Sequence, residues 1–306
     1  MNLVASEPAL IGIDWGTTSL RAFLIDSHGH VLDSVNSSEG ITRVPVQSFE
    51  AVLDRLISPW CSKRHLPILA SGMITSKNGW VETPYASMPL SAGNLAQALV
   101  PLDIKFGARV HFVTGVSVEH TGGPDVMRGE ETQIIGASDI GLNEGTFVMP
   151  GTHCKWVKVV GGKIVDFCTF MTGEIYNALS QHTILGTLME YRNFDLEAFK
   201  AGVSIGLDSS SNLLQNLFHV RTLPLLNKMP KTAVADYLSG MLIGTEVASA
   251  SKNTNLDLPI TLVGQSELCE RYQIALKLVG LKSRHAPENI VAKGHFLIAR
   301  AAGLIR

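Results

Sequence analysis

Three short apolar runs, separated by small and polar residues, lie near the beginning of the chain. The runs at 10–13, 20–25 and 31–35 each have the length and composition of a β-strand. Gly16 and Gly29 fall between them, where the chain must turn. This pattern predicts a meander of three strands at the start of the fold.

A similar pattern returns in the middle of the chain. Predicted strands at 146–149, 155–160 and 163–169 are separated by a turn from Pro150 to His153 and by the pair Gly161-Gly162. Each half of the chain then holds a strand-turn-strand unit with a Gly-Thr turn. The sequence therefore predicts two related domains.

The remaining positions alternate between short apolar runs and helical periodicity. Gly240 and Gly244, which lie four residues apart in one predicted helix, permit close packing against a neighbour. The alternation is typical of an α/β protein, and we expect two domains that share a packed hinge and a cleft. Strands are predicted at 66–70, 110–114 and 260–263, and helices at 49–60, 127–137, 173–182, 196–205, 232–250, 267–279 and 293–305.

The composition argues against nucleic acid and membrane as binding partners. The 25 Lys and Arg against 27 Asp and Glu give a formal charge of −2, without the basic excess of a nucleic-acid surface. No apolar run reaches the ~20 residues of a membrane span. We expect a cytoplasmic protein that binds neither nucleic acid nor membrane, whose apolar helices leave room for a homodimer. Its 4 cysteines are sparse and are expected to be reduced.

The first turn carries a carboxylate beside small and hydroxyl residues. Asp14 ends the first predicted strand and can hold Mg²⁺ directly or through water. Backbone amides and hydroxyls of the turn can donate to phosphate oxygens. An ordinary hairpin is the alternative, because the motif is short. The predicted phosphate-binding residues are Gly16, Thr17, Thr18 and Ser19.

The second turn offers donors for the other side of a polyphosphate. Gly151 and Thr152 have unobstructed amides, and Thr152 adds a hydroxyl. His153 and Lys155 flank the turn, and a cation there could meet a phosphate or a carboxylate, although Lys155 could equally be a solvated strand residue. The turn at Gly264-Gln265 opens a predicted helix and fits a platform for adenosine, but such turns are common in α/β proteins.

Charged residues precede the second hairpin. Asp125, Glu130 and Glu131 are candidates for the base or for holding metal-bound water, and Arg128 can stabilise a phosphoryl group or an anionic substrate. Carboxylates at the start of a helix are often only caps, which is the alternative interpretation. After the later strand, Thr172 and Glu174 open another helix, and both are predicted to contact the substrate. Glu174 could accept hydrogen bonds from substrate hydroxyls or could again be a cap.

These segments, taken in order, resemble the 2-dehydro-3-deoxygalactonokinase family within the actin/hexokinase/Hsp70 superfamily of ATP-binding proteins. The resemblance covers nearly the whole chain. The blocks around Arg128 and His153 are quite specific to the family. The matching segments are 13–18, 71–74, 79–80, 84–85, 126–133, 149–157, 171–174, 238–240 and 244–249.

The resemblance implies a fold and an activity. The fold would consist of two ribonuclease H-like (actin-like ATPase) domains with mixed sheets flanking a nucleotide cleft. The first domain would span 1–118 and be completed by the C-terminal helix at about 291–306, and the second would span 119–290. The activity would be phosphorylation of the C6 hydroxyl of 2-dehydro-3-deoxy-D-galactonate by ATP and Mg²⁺, both halves of the chain gripping one nucleotide with the sugar acid between them.

One departure leaves the base open. Related sugar kinases often carry an Asn-Asp pair where this chain has Pro124-Asp125, so Asp125 or one of the two glutamates fills that role. The keto-acid carboxylate would need donors near Arg128 or Lys155. Further substrate contacts are predicted at Ser71, Gly72 and Ser76, which would bind the carboxylate. Trp80 and Tyr85 could wall the sugar face, although an aromatic pair beside a proline more often packs in the core.

The sequence leaves three alternatives to this activity. The acceptor could be another 2-keto-3-deoxy sugar acid, because sequence does not separate epimers. An ATP-binding regulatory module of the same superfamily would normally need an extra binding domain, for which the length leaves no room. A polyphosphate hydrolase should show a basic channel, which the charge balance does not supply.

Overall fold

The computed structural model describes residues 7–61, 65–105, 108–208, 212–253 and 258–306. They pack into two compact units. The first unit contains the described residues up to Glu144 together with Val159–Phe167 and Pro287–Arg306. The second contains Gly145–Lys158 and the described residues of Cys168–Ala286.

The strands follow one another closely in the first half and sparsely in the second. In chain order they are β1 (Pro8–Trp15), β2 (Leu20–Asp26), β3 (Val31–Ser37), β4 (Ile68–Ser71), β5 (Tyr85–Ser87), β6 (Val100–Asp103), β7 (Arg109–Phe112), β8 (Gly115–His120), β9 (Gly123–Met127), β10 (Gly145–Met149), β11 (Cys154–Val160), β12 (Lys163–Phe170), β13 (Ile260–Leu262) and β14 (Ser283–His285).

The α-helices are concentrated after the second hairpin. In chain order they are α1 (Phe49–Cys61), α2 (Ala92–Gln97), α3 (Glu130–Ser138), α4 (Thr172–His182), α5 (Leu196–Asp208), α6 (Leu213–Leu225), α7 (Val234–Ala250), α8 (Ser266–Leu278) and α9 (Ile290–Ala301). Among the described residues, no helix is both long enough and apolar enough to cross a membrane.

The predicted meander forms one side of a six-stranded sheet with the order β3-β2-β1-β4-β7-β6. β1 pairs antiparallel with β2 and parallel with β4. Leu10, Ile11 and Ile13 of β1 are fully buried, as expected for a central strand covered on both faces. The parallel pairing aligns Asp14 with Ser71, so the ends of β1 and β4 lie side by side.

A five-stranded sheet repeats this order as β12-β11-β10-β13-β14. β10 is parallel to β13, and β13 is parallel to β14. In each sheet a three-strand meander is extended, on the side of its first strand, by two parallel strands, β4 and β7 in the first sheet and β13 and β14 in the second. The first sheet then ends in β6, which pairs antiparallel with β7. The repeated order agrees with the prediction of two related halves.

Glycines allow close helix packing in both units. A Cβ at Gly240 of α7 would lie 2.1 Å from the carbonyl oxygen of Phe199 in α5, as the Gly240 and Gly244 spacing predicted. In the first unit, a Cβ at Gly294 of α9 would lie 1.9 Å from the carbonyl oxygen of Thr132 in α3. The C-terminal helix therefore packs directly on α3.

The structure differs from the sequence prediction mainly between 84 and 130. A third sheet, β5-β8-β9, was not predicted. The helix predicted from Met127 begins at Glu130, because Gly123–Met127 pairs with β8 as a strand. Residues 119–144 pack with the first unit, so the division falls later than the predicted boundary at 118/119. The physical reason is that α3 packs on α9 and β9 pairs with β8.

Candidate functional site

The first predicted phosphate turn joins β1 to β2. Asp14 lies at the end of β1, and its side chain is 14% exposed. Its Oδ2 accepts hydrogen bonds from Nη2 of Arg21 at 2.5 Å and from Nε at 3.1 Å. Thr17, Thr18 and Ser19 at the tip are exposed. The turn therefore offers hydroxyls to solvent beside a carboxylate.

The segment from Gly40 to Thr42 packs against this turn and donates hydrogen bonds to its backbone. The amides of Ile41 and Thr42 donate to the carbonyls of Gly16 and Thr17, at 3.0 and 3.2 Å. A Cβ at Gly40 would lie 2.3 Å from the Thr17 carbonyl oxygen, whereas a Cβ at Gly16 would make only an ordinary contact with Ser19. Within the protein, the glycine that this turn requires is Gly40, which sequence reasoning missed.

Two further glycines bring three segments together around Asp14. Gly72 follows β4 with φ +93°, and its Cβ would lie 2.8 Å from the Trp15 carbonyl oxygen and 3.3 Å from Oδ1 of Asp14. Gly129 precedes α3 with φ +107°, and its Cβ would lie 3.0 Å from Cα of Gly72. The start of α3 therefore lies close to the end of β1.

The glutamates that begin α3 bind backbone amides. The Gly129 amide donates to Glu131 at 2.6 Å, and the Arg128 amide donates to Glu130 at 3.0 Å. Glu131 is fully buried, and that burial, with the nearby charge of Glu130, raises its pKa to about 8. Both residues thus make the contacts of ordinary helix caps, which is the alternative interpretation of carboxylates at the start of a helix.

Asp125 lies on the edge strand β9 rather than on the predicted helix. Its Oδ1 accepts a hydrogen bond from the amide of Val126 at 2.7 Å. In register it faces Val118 of β8. Gly129 is the residue that lies against Gly72. Glu130 follows it directly, whereas Asp125 is four residues away along the chain.

Arg128 ties the predicted sugar-acid loop to the start of α3. Its Nη1 donates to the carbonyl and hydroxyl of Thr75, both at 2.7 Å, and to the Thr83 hydroxyl at 2.6 Å. Its guanidinium lies 4.4 Å from the centre of the Tyr85 ring. Tyr85, predicted to wall the sugar, lies under the guanidinium, and much of the hydrogen-bonding capacity of Arg128 is taken by the loop.

Three other residues of the predicted sugar-acid loop contact other parts of the protein. The Ser71 hydroxyl is buried and lies 2.8 Å from Nε2 of His295. The Ser76 hydroxyl donates to the Met73 carbonyl at 2.7 Å. Trp80 stacks on Phe49 and makes an edge contact with Phe112, which is the packing role expected of an aromatic residue beside the core.

His295 was not predicted as a site residue. It is fully buried on α9, and burial, with the nearby charge of Arg21, lowers its pKa to about 3. A Cβ at Gly12 would lie 2.6 Å from Nδ1 of His295, so the ring packs on β1. Sequence reasoning missed it because a single histidine in an apolar helix gives no signal of a distant serine partner.

In the second unit, the start of α4 holds the second predicted phosphate turn. The Glu174 amide donates to the Thr152 carbonyl at 2.9 Å, and a Cβ at Gly173 would lie 2.3 Å from the Gly151 carbonyl oxygen. His153 and Glu174 form an exposed pair with Nε2 and Oε2 2.5 Å apart. Thr152 is exposed, so its hydroxyl is available to a ligand.

The other predicted residues of the second unit lie at strand ends. Lys155 is buried and donates to the Thr169 hydroxyl at 2.7 Å, which excludes the solvated-strand interpretation. Gly264 and Gln265 are exposed at the start of α8. The Val263 amide donates to the Val148 carbonyl at 2.9 Å, which places this turn beside the end of β10.

Thr172, the first residue of α4, binds a buried carboxylate that the sequence analysis did not identify. Its hydroxyl donates to Oε2 of Glu246 on α7. Burial raises the pKa of Glu246. Glu246 gave no sequence signal because one acidic residue in a long apolar helix usually lies at its surface.

The donor set around Asp14 fits Mg²⁺ bound together with a polyphosphate. Within the described ranges, no group of three or more His, Cys, Asp or Glu residues could hold a metal ion by itself. Mg²⁺ usually keeps several waters and binds through one or two carboxylates plus the phosphates of a nucleotide. A single partly exposed carboxylate beside a hydroxyl-rich turn meets that requirement.

Comparison with known proteins identifies the family. The 2-dehydro-3-deoxygalactonokinase of Escherichia coli K12 is 38% identical over 270 residues, which are 88% of this chain and 90% of that protein. A crystal structure of a provisionally assigned 2-dehydro-3-deoxygalactonokinase from Sinorhizobium meliloti has 31% identity and a TM-score of 0.86, covering 96% of this chain and 95% of that one.

A more distant structure shares the fold alone. The activator of 2-hydroxyisocaproyl-CoA dehydratase from Clostridium difficile, solved with bound ADPNP, has 12% identity and a TM-score of 0.53 over 96% of each chain. The fold is thus that of the actin-like ATPases and sugar kinases, as predicted. The family model described as 2-keto-3-deoxy-galactonokinase matches residues 14–298. The chain belongs to the 2-keto-3-deoxy-galactonokinase family.

Proposed function

We propose that this protein is a kinase that transfers the γ-phosphoryl group of ATP to the C6 hydroxyl of 2-dehydro-3-deoxy-D-galactonate. Membership of the 2-keto-3-deoxy-galactonokinase family from residue 14 to residue 298 carries this proposal. The partly exposed carboxylate of Asp14, beside the turn hydroxyls, supports it.

The chain's own residues would bind and orient the nucleotide. Thr17, Thr18 and Ser19 would donate to phosphate oxygens, and so would Gly151 and Thr152. Asp14 would hold Mg²⁺, which when bound neutralises charge on the transferring phosphoryl group. Gly264 and Gln265 would contact adenosine.

Among the candidate bases, Glu130 is favoured. Glu131 is fully buried and accepts the Gly129 amide and the Thr132 hydroxyl, which leaves it poorly placed to take a proton from a substrate. Glu130 adjoins the glycine that contacts Gly72 beside Asp14. Among the amide variants Glu130→Gln, Glu131→Gln and Asp125→Asn, the first should reduce turnover far more than ATP affinity. Equal mild effects of all three would contradict this assignment.

The loop from Ser71 to Tyr85 is proposed to bind the sugar-acid carboxylate, with Arg128 fixing its shape. Arg128→Ala should raise the KM for the acid by about 10-fold to 100-fold, since hydrogen bonds to charged groups are worth ~1.5–3 kcal/mol. Steady-state kinetics with each substrate varied in turn will show this. A fall in turnover alone would assign Arg128 to the phosphoryl group.

An ADP-release assay tests the function itself. The purified protein is given ATP, Mg²⁺ and either 2-dehydro-3-deoxy-D-galactonate, its gluco epimer or a panel of aldonic acids. ADP release that depends on the first acid, with the product phosphorylated at C6 by NMR, is expected. Preference for another keto acid would change the acceptor, and ADP release without any acid would indicate an ATPase.

The same proposal places the protein among cytoplasmic enzymes with a small-molecule partner. ATP and a sugar acid are both cytoplasmic metabolites, and neither nucleic acid nor membrane takes part in the reaction. A homodimer remains a further proposal, because large apolar side chains such as Leu214 and Phe218 of α6 are exposed. Light scattering on the purified protein measures the oligomeric state.

A further inference from the structure

Glu246 is a buried carboxylate that the proposed reaction does not use. It lies on α7 and is 3% exposed. Its Oε1 accepts a hydrogen bond from Nε1 of Trp156 at 2.7 Å, and its Oε2 accepts one from the hydroxyl of Tyr272 at 2.6 Å. The hydroxyl of Thr172 donates to the same Oε2. One carboxylate thus joins β11, α4, α7 and α8.

Of these three contacts, the one to Thr172 leads to the predicted phosphate turn. Thr172 is the first residue of α4, and the next residue, Gly173, lies against the backbone of Gly151 and Thr152. The amide of Glu174 then donates to the Thr152 carbonyl. The first turn of α4 is therefore the surface against which the phosphate turn rests, and Glu246 fixes its first residue.

The chemistry of Glu246 suits a fixed anchor. Burying a carboxylate is costly unless donors surround it, and Glu246 accepts hydrogen bonds from an indole, an aliphatic hydroxyl, a phenol and the thiol of Cys154. If α4 shifted, the Thr172 hydroxyl would leave the carboxylate, and the buried Glu246 would lose a hydrogen bond. That loss is costly in a buried site, so the network favours a single position of α4.

We propose that Glu246 is a positioning residue for nucleotide binding, which acts through Thr172 and the start of α4 to hold the Gly151-Thr152 turn in place. The inference rests on the proposed use of ATP by that turn. It differs from a general contribution to stability, because only the hydrogen bond between Thr172 and Glu246 should affect the affinity for the nucleotide.

Two single-hydroxyl variants separate these roles. Thr172→Val removes the hydroxyl on α4 that donates to Oε2 of Glu246. Tyr272→Phe removes the hydroxyl on α8 that donates to the same oxygen. The dissociation constant of a non-hydrolysable ATP analogue with Mg²⁺ is measured by calorimetry, together with the melting temperature and the KM for each substrate. We expect Thr172→Val to weaken nucleotide binding by about 10-fold and Tyr272→Phe by less than about 3-fold, at comparable losses in melting temperature.

Variants of the carboxylate provide a rescue test. Glu246→Ala should weaken nucleotide binding at least as much as Thr172→Val. Glu246→Gln should restore it to within about 3-fold of the unchanged protein. The reason is that the amide oxygen can face the obligate donor Trp156 while the amide nitrogen donates to the two hydroxyls. If Glu246→Ala does not fold, the two hydroxyl variants still decide the question.

Each failure has its own signature. Equal weakening by Thr172→Val and Tyr272→Phe, or no weakening by either, would overturn the inference while leaving the proposed function intact. A rise in the KM for the acid alone in Thr172→Val would assign Thr172 to the acid and also overturn it. If the unchanged protein binds no ATP, the proposed function itself fails, and the inference fails with it.

Discussion

The two predicted phosphate turns are similar in sequence and differ in where the nearby carboxylates lie. The first turn has Asp14 beside it, partly exposed and paired with Arg21. The second contacts the start of α4, whose first residue binds Glu246, a buried carboxylate surrounded by neutral donors. A carboxylate that reaches solvent can meet a metal ion, whereas Glu246 is enclosed by its hydrogen-bond partners and fixes the segments around it.

The supports of the two turns are nonetheless alike. In each unit a glycine from another segment lies against the turn backbone, Gly40 against Thr17 and Gly173 against Gly151. A side chain at either position would lie 2.3 Å from a backbone oxygen. The comparison indicates that turn geometry is imposed from outside the motif in both units.

The largest expected effect comes from removing the charge of Asp14. Asp14→Asn should lower turnover by on the order of 100-fold to 1,000-fold, as loss of one electrostatic group at a developing charge typically does. Arg21→Ala is the matched control, because it breaks the same ion pair and keeps the carboxylate. An equal loss in both variants, measured as kcat under saturating substrates, would mean that the ion pair matters and the carboxylate does not.

A smaller effect is expected from adding a side chain to the glycine that packs against each turn. Gly40→Ala and Gly173→Ala should each lower the free energy of unfolding by about 1–3 kcal/mol, the usual cost of overpacking, and should raise the KM for ATP. Gly122→Ala is the control, since its Cβ would meet nothing within 4 Å. Denaturant unfolding and kinetics provide both readouts. If either variant behaves like the control, that turn does not depend on its external glycine.

The turns and meanders could be predicted because their signals are local. The strands around Asp14 and Gly151 lie within about two residues of the predicted bounds, since apolar runs and glycines define them. β9 was missed for the same reason. Gly122, Gly123 and Pro124 signal a turn, but pairing with β8, a tertiary effect, makes 123–127 a strand.

The partners of the site residues could not be predicted, because they come from distant positions. Nothing in the sequence around Arg128 indicates that Thr75 and Thr83 accept its hydrogen bonds. In the same way, Ser71 was expected to meet substrate, and its hydroxyl instead meets His295. Residue type predicted the chemistry that a group can perform, and packing decided which groups are free to perform it.

The smallest expected effect concerns Glu131, a buried carboxylate of the first unit that serves as a counterpart to Glu246. Its pKa is about 8 in the folded protein, above the ordinary 4.5, so the folded state keeps a proton that the unfolded chain releases. The associated stability is complete below about pH 4.5 and is lost as the pH rises through about 8. His295, whose pKa is about 3, acts in the opposite direction, but only below about pH 6.5.

The free energy of unfolding of the unchanged protein should therefore fall by about 1–2 kcal/mol between pH 6.5 and 8 because of Glu131. Glu131→Gln should not show this fall. Urea unfolding across that interval checks this, with Glu130→Gln as the control expected to keep most of the decline. The same slope in Glu131→Gln and the unchanged protein would mean that Glu131 is already ionised at its cap position, stabilised by the helix amide as an ordinary N-terminal carboxylate would be.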